Sequence, residues 1–285
     1  MTVRLPSLFA ATAACAFAVA CGGGGSGAAA PSPVPDVPAG GVPAGWRLVW
    51  ADEFDVDGLP DAAKWDHDTY RNVAGWYNAE LQYYAANRPE NARVEGGKLV
   101  ITARRERLST AADFGGQDYT SARLVTRGRA DWTYGFFEVR AKLPCGMGTW
   151  PAIWMLGSLG TWPADGEIDI MEQRGNAPGT ILGHAHMKAH HGSTGRGSTT
   201  QVNDTCNSFH NYQVHWTADA IAWGVDDATY FRYVKLPGAT YATWPFDFPQ
   251  HLLMNIAVGG HLGGTPDASV FPARMEVDYV RVYQP

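Results

Sequence analysis

Charge is scarce in this chain. Asp, Glu, Lys and Arg together make 18% of 285 residues, the formal net charge is -6, and no run of Lys or Arg occurs. A nucleic-acid partner would need a basic footprint, so none is expected. Long apolar runs are also missing: the only one, residues 5–19, is shorter than the ~20 residues of a membrane-spanning helix. No long amphipathic helical pattern, internal repeat or second domain is visible. Cysteine is limited to four positions. What remains is rich in glycine and aromatic residues, with 33 Gly, 11 Trp and 12 Tyr in a chain that is 45% hydrophobic. Such a composition suits one large all-β domain as well as two small ones, and a surface that meets neutral polymers.

The amino end reads as an export signal over residues 1–20. Arg4 supplies the positive start and the short apolar run follows. Ala18-Val19-Ala20-Cys21 is similar to a bacterial lipoprotein cleavage site, with Ala18 where Leu is usual. Cys21 is therefore the expected lipidation site. The protein is expected in the cell envelope, at the outer membrane or cell surface, touching a membrane only through that anchor; plain secretion is the alternative. Residues 21–45 are rich in Gly, Ala, Pro and Ser and read as an unpacked tether. The catalytic domain is expected over 46–285. There Cys145 and Cys206 remain, either bridged in an oxidising compartment or as two buried thiols.

The most informative stretch is Glu167-Ile168-Asp169-Ile170-Met171-Glu172. Apolar and acidic residues alternate, which reads as a half-buried strand with Glu167 and Asp169 on one face. Glu172 joins them only if one extra residue, Met171, forms a β-bulge. Three like charges on one strand face repel, and strands disfavour Asp and Glu. A function must justify them. Glycoside cleavage needs paired carboxylates, about 5–5.5 Å apart when configuration is retained. A metal site and a solvated acidic edge are the competing readings.

Aromatic residues flank this strand. Trp150 and Trp154 lie an even number apart and share a face on a strand, either as a sugar platform or as core. Trp162 sits in the loop just before the acids. Asn255 is polar within an apolar strand over 251–258, placed for a hydrogen bond at the cleft or to buried backbone. His184 and His186 share a face and, with the acids, would also serve a metal. The glycosidase reading ranks above that one, because the carboxylates already have a catalytic account.

The acidic run resembles the active-site strand of glycoside hydrolase family 16. Met171 within it resembles the laminarinase-like branch, the endo-β-1,3-glucanases. Trp150-Pro151-Ala152-Ile153-Trp154-Met155-Leu156 is similar to a second family segment, and Asn78-Ala79-Glu80-Leu81-Gln82-Tyr83 to a third. The resemblance runs over about 46–283. It implies an all-β, concanavalin-like jelly roll of two antiparallel sheets with an open concave cleft. It also implies endo cleavage of β-glucan, with no catalytic cofactor and a monomeric enzyme.

By the same resemblance, Glu167 is the nucleophile, Glu172 the acid/base and Asp169 the acid between them. Asn78, Arg123 and His186 join Trp150, Trp154, Trp162 and Asn255 along the sugar. Asp278, with Glu53 and Gly97, would hold a structural Ca²⁺ away from the acids. Burial and like charge are expected to raise the pKa of Glu172, so that it starts protonated. Rival readings within the family are a mixed-linkage glucan or galactan hydrolase, or a transglycosylase. A non-catalytic glucan-binding lipoprotein is the rival from another class.

Overall fold

A computed structural model describes residues 35–285, so the expected signal and Cys21 lie outside the described residues. The strands follow in order as β1 Arg47–Asp52, β2 Asp66–His67, β3 Gln82–Tyr84, β4 Ala92–Val94, β5 Leu99–Arg105 and β6 Tyr119–Ser121. Next come β7 Arg123–Val125, β8 Gly135–Lys142, β9 Thr149–Gly157, β10 Glu167–Gln173, β11 Thr180–His186 and β12 Arg196–Gln201. The last are β13 His210–Trp216, β14 Ala220–Val225, β15 Ala228–Val234, β16 Gln250–Val258 and β17 Ala273–Gln284.

They form two sheets, as the fold expectation requires. One has ten strands, along β15-β14-β13-β8-β17-β5-β6-β3, with β1 and β4 joined at β17 and β5. The other has seven, in the order β12-β11-β10-β9-β16-β7-β2. Alternation in the sequence explains the layering: Ile168, Ile170 and Met171 of β10, Ile153 and Met155 of β9, and Leu252 and Met254 of β16 are buried in one core with Phe137, Val139, Val214 and Trp223 of the ten-stranded sheet. The polar set of the seven-stranded sheet is left on its outer face.

One expectation changes. The unpacked tether over 21–45 ends too late, because Val37 is buried and its N–H donates to Thr229 Oγ1 at 2.8 Å. Val37 covers Gly224, where a Cβ would sit 2.8 Å from the valine Cγ2; the missing side chain makes the seat. β6 and β7 follow each other directly but lie in different sheets, with the small buried Ala122 as the crossing point. Within the stretch 76–84 only Gln82–Tyr84 is strand. Tyr77–Ala79 is a tight 3-10 turn in which Asn78 and Ala79 have φ of 58° and 59°.

β17 carries a local gap. β5 pairs with its residues 273–277 and β1 with 280–284 on the same edge, while β8 lies on the other. The ladder to β8 slips between Val277 and Tyr279, so Asp278 is a bulge residue facing the interval between β5 and β1.

Candidate active site

β10 lies between β9 and β11, and its register slips. Glu167, Asp169 and Glu172 stand opposite Leu156, Trp154 and Ala152 on β9, and opposite His186, His184 and Leu182 on β11. Both partner series advance by two, so the three acids share one face. The residue left over in the β9 ladder is Ile170, and on β11 Ile170 and Met171 together oppose Gly183. The bulge is thus this pair rather than Met171 alone. Both side chains are buried, at 1% and 0% exposure, so the extra residue turns the strand without exposing apolar surface.

The bulge frees the carbonyl of Asp169, and the opposite sheet takes it up. Trp223 Nε1 of β14 donates to Asp169 O at 2.8 Å. Gly183 leaves room, since a Cβ there would come within 2.6 Å of the Trp223 ring. Trp223→Phe keeps the ring and removes the donor. It is expected to lower kcat roughly tenfold with KM little changed, because the acids lose alignment while the sugar contacts stay. Steady-state kinetics on a purified, folded variant check this; a kcat within twofold of the parent would show that the bond positions nothing.

Each acid has its own partners. Trp162 Nε1 donates to Glu167 Oε2 at 2.5 Å, and Trp150 Nε1 to Glu172 Oε1 at 2.9 Å. Glu167 and Asp169 are within hydrogen-bonding reach of each other. His186 Nε2 stands 3.1 Å from Asp169 Oδ2, and His184 Nδ1 3.8 Å from Glu172 Oε2. Burial and the Asp169 charge push the Glu167 carboxyl up to about 8, and burial pushes Glu172 up to about 7. Burial and the Glu172 charge hold Asp169 well above the usual carboxylate range. The rise expected for Glu172 alone is thus shared by all three. They hold protons as a group near neutrality, since three buried charges so close cannot all ionise. The hydrogen bond between Glu167 and Asp169 raises Glu167 and lowers Asp169, so Glu167 carries the shared proton in the free site, while the indole N–H groups of Trp162 and Trp150 favour the ionised forms of Glu167 and Glu172.

The other candidates sort by position. Arg123 is buried between the rings of Trp154 and Trp76, at 4.6 and 5.0 Å, and pairs with buried Asp68 at 3.1 Å. Trp154 Nε1 donates to Asn255 Oδ1 at 2.8 Å, so Asn255 fixes the tryptophan. Trp150 is only 8% exposed and serves Glu172 through its N–H rather than as an open platform. Trp162, in contrast, is 54% exposed. Asn78 is exposed on the 3-10 turn, with its backbone O close to Gly260, which in turn neighbours Trp150. Asp68, Trp223 and Gly183 had no sequence signal as site residues; their roles arise from partners distant in the chain.

Cys145 and Cys206 are bridged. The residues proposed for a structural ion meet beside the gap in β17: Glu53 follows β1, Gly97 precedes β5, and Asp278 is the bulge between them. The Glu53 carboxylate is bound at 2.8 Å by both Nε and Nη2 of Arg281, so its side chain is not a free ligand and only its backbone oxygen fits that role. Asp278 meets Arg140 through Oδ2 alone, at 3.2 Å.

Comparison with known proteins places this geometry. A family model described as glycosyl hydrolases family 16 matches residues 79–281. A β-glucanase of Rhodothermus marinus is 52% identical over 252 residues, 84% of this chain and 85% of that protein. A glucan endo-1,3-β-glucosidase A1 of Niallia circulans is 40% identical over 262 residues, 85% of this chain but 38% of the longer relative. Among solved structures, a non-specific endo-β-1,3(4)-glucanase with 1,3-β-D-cellobiosyl-glucose at its active site is 53% identical, with a TM-score of 0.86 over 88% of this chain and 99% of the other.

Proposed function

Since the chain belongs to glycosyl hydrolases family 16, we propose that it is an endo-β-1,3-glucanase that works by double displacement with retention. The observation that carries this is the shared face of Glu167, Asp169 and Glu172, created by the slip in β10. A Glu167 oxygen bonds to the anomeric carbon as the glycosidic bond breaks, and Glu172 gives its proton to the leaving oxygen. Glu172 then takes a proton from water, whose oxygen replaces Glu167 on the same carbon. In the free site Glu167 holds the proton it shares with Asp169; on attack that proton passes to Asp169, so Glu167 reacts ionised. Trp162 and Trp154 offer ring faces to the glucan, Arg123 backs the Trp154 ring, and His186 steadies Asp169.

Purified protein is expected to release reducing ends from laminarin, with the β-anomer appearing first by proton NMR. First appearance of the α-anomer would sink the mechanism, and no release from any β-glucan would sink the activity. Mixed-linkage glucan is the second substrate to test, because the structural neighbour holding a trisaccharide is non-specific between 1,3 and 1,4 linkages.

A structural Ca²⁺ at Asp278, using backbone oxygens of Glu53 and Gly97, would tie β5 and β1 to β17 where the ladder is interrupted. The composition of residues 1–45 supports export with Cys21 lipidated and a tether following it; action as a monomer fits the open site. Radiolabelled fatty acid, with Cys21→Ala as control, tests the anchor.

A further inference from the structure

We propose that the active site, when no glucan fills it, also binds one borderline divalent transition-metal ion, Zn²⁺ being the reference case, and that the bound ion blocks hydrolysis. The proposal rests on the glucanase reading for its consequence but not for the binding itself.

The argument is geometric. His184 and His186 project from β11 on the face of the acids, because both series alternate in twos and are paired in register. Their rings lie nearly parallel, at 24°, with centroids 5.8 Å apart. Ligand atoms of Glu167, Asp169 and His186 lie within 4.8 Å of one another, and so do those of Asp169, Glu172 and His184. Asp169 belongs to both groups and is 3% exposed. A tetrahedral zinc ion holds nitrogen and oxygen at 2.0–2.2 Å, which places neighbouring ligand atoms about 3.3–3.5 Å apart. The pairs His186 Nε2–Asp169 Oδ2 and His184 Nδ1–Glu172 Oε2, at 3.1 and 3.8 Å, bracket that spacing. Little movement is needed to close either pair on an ion.

The donor set also selects the class of ion. An imidazole nitrogen with two carboxylate oxygens, the set in either group, suits Zn²⁺ or Cu²⁺, whereas Ca²⁺ and Mg²⁺ prefer oxygen shells with six or more ligands. An ion here sits on the nucleophile, the acid/base or both, so it excludes the sugar and removes the proton donor. Inhibition should therefore be competitive with glucan.

The test separates binding from activity. Protein freed of metal with EDTA and returned to excess Ca²⁺ is titrated with zinc chloride by calorimetry at pH 7. One site of micromolar affinity is expected. At least one of His184→Ala and His186→Ala, whichever removes the histidine of the occupied pair, should weaken it by at least about tenfold, while His261→Ala, at an exposed position outside the site, should leave it unchanged. Laminarin hydrolysis should fall over the same zinc range and return with EDTA. Laminari-oligosaccharide bound to Glu167→Gln should displace the ion. Thermal melts confirm that each variant is folded. No binding below millimolar zinc, or binding unaffected by both histidine variants, overturns the proposal. Zinc binding in a protein that never cleaves laminarin would instead overturn the glucanase reading and leave this one standing.

Discussion

Glu167→Gln is expected to lower kcat on laminarin by at least about 10⁴-fold, the scale on which removing a nucleophile acts, with the fold intact and oligosaccharide still bound. Gln has the shape of the protonated acid and keeps an oxygen for Trp162 but cannot attack. Glu172→Gln should fail at the other step, by leaving no proton for the departing oxygen. The two are told apart with an activated aryl glycoside and azide. In Glu167→Ala, azide fills the space of the lost carboxylate and attacks from that side, giving the α-azide. In Glu172→Ala, the glycosyl-enzyme still forms and azide gives the β-azide. The reverse pairing of products would exchange the roles of the two residues.

The same substitution has a signature in stability. Glu167 in the folded protein is pushed to about 8 from an ordinary 4.5, by burial and Asp169. The folded state therefore binds the proton more tightly than the unfolded chain. That contribution is fully present below about 4.5 and is lost as pH rises towards 8. Gln does not titrate, so Glu167→Gln should match the parent near pH 4.5 and exceed it at pH 8.5 by on the order of 1–3 kcal/mol. Melting curves at the two pH values measure it; an equal difference at both would show that the carboxyl is not held protonated.

Removing the Cys145–Cys206 bridge, through Cys145→Ser with Cys206→Ser, is expected to reduce the unfolding free energy by about 4 kcal/mol and Tm by roughly 10 °C. The bridge closes a loop with a sequence separation of 61 that contains β9, β10, β11 and β12, the half of the sheet holding the acids. Much of its effect is on the unfolded chain, which loses a long-range constraint. Next to it, Gln173 at the end of β10 accepts from Thr205 Oγ1 at 2.7 Å and from Gly179 N at 2.9 Å. The two bonds to Gln173 Oε1 do not involve the sulfurs, although its Nε2 also reaches Cys145 Sγ at 3.7 Å, so activity at 25 °C should stay within a few-fold of the parent. A destabilisation under about 1 kcal/mol, by denaturant unfolding, would show that these hydrogen bonds, not the bridge, hold the strand end.

The contrast between Glu172 and Trp150 shows what a sequence carries. The acid's face follows from counting residues and requiring a bulge, which is local arithmetic. That Trp150 is enclosed and donates to Glu172, rather than offering an open ring, depends on how β9 and β10 pair. Arg123 is similar: its place on a strand is legible, but its clamp between two indoles and its buried partner Asp68 bring together four separate segments. Val37 was misjudged because Pro and Gly around it read as spacer, and only Gly224, far along the chain, gives it a seat.

By itself, then, the amino-acid order determined a two-sheet β protein, a strand with three acids on one face and tryptophans beside it. These follow from period-two alternation and from the expense of clustering like charges, both properties of neighbouring residues. The tertiary structure alone decided which residue the bulge absorbs, how proton affinity is spread over the three acids, and that an indole 54 residues away holds the Asp169 carbonyl. Burial and cross-sheet hydrogen bonds set those outcomes, and both exist only once distant strands have packed.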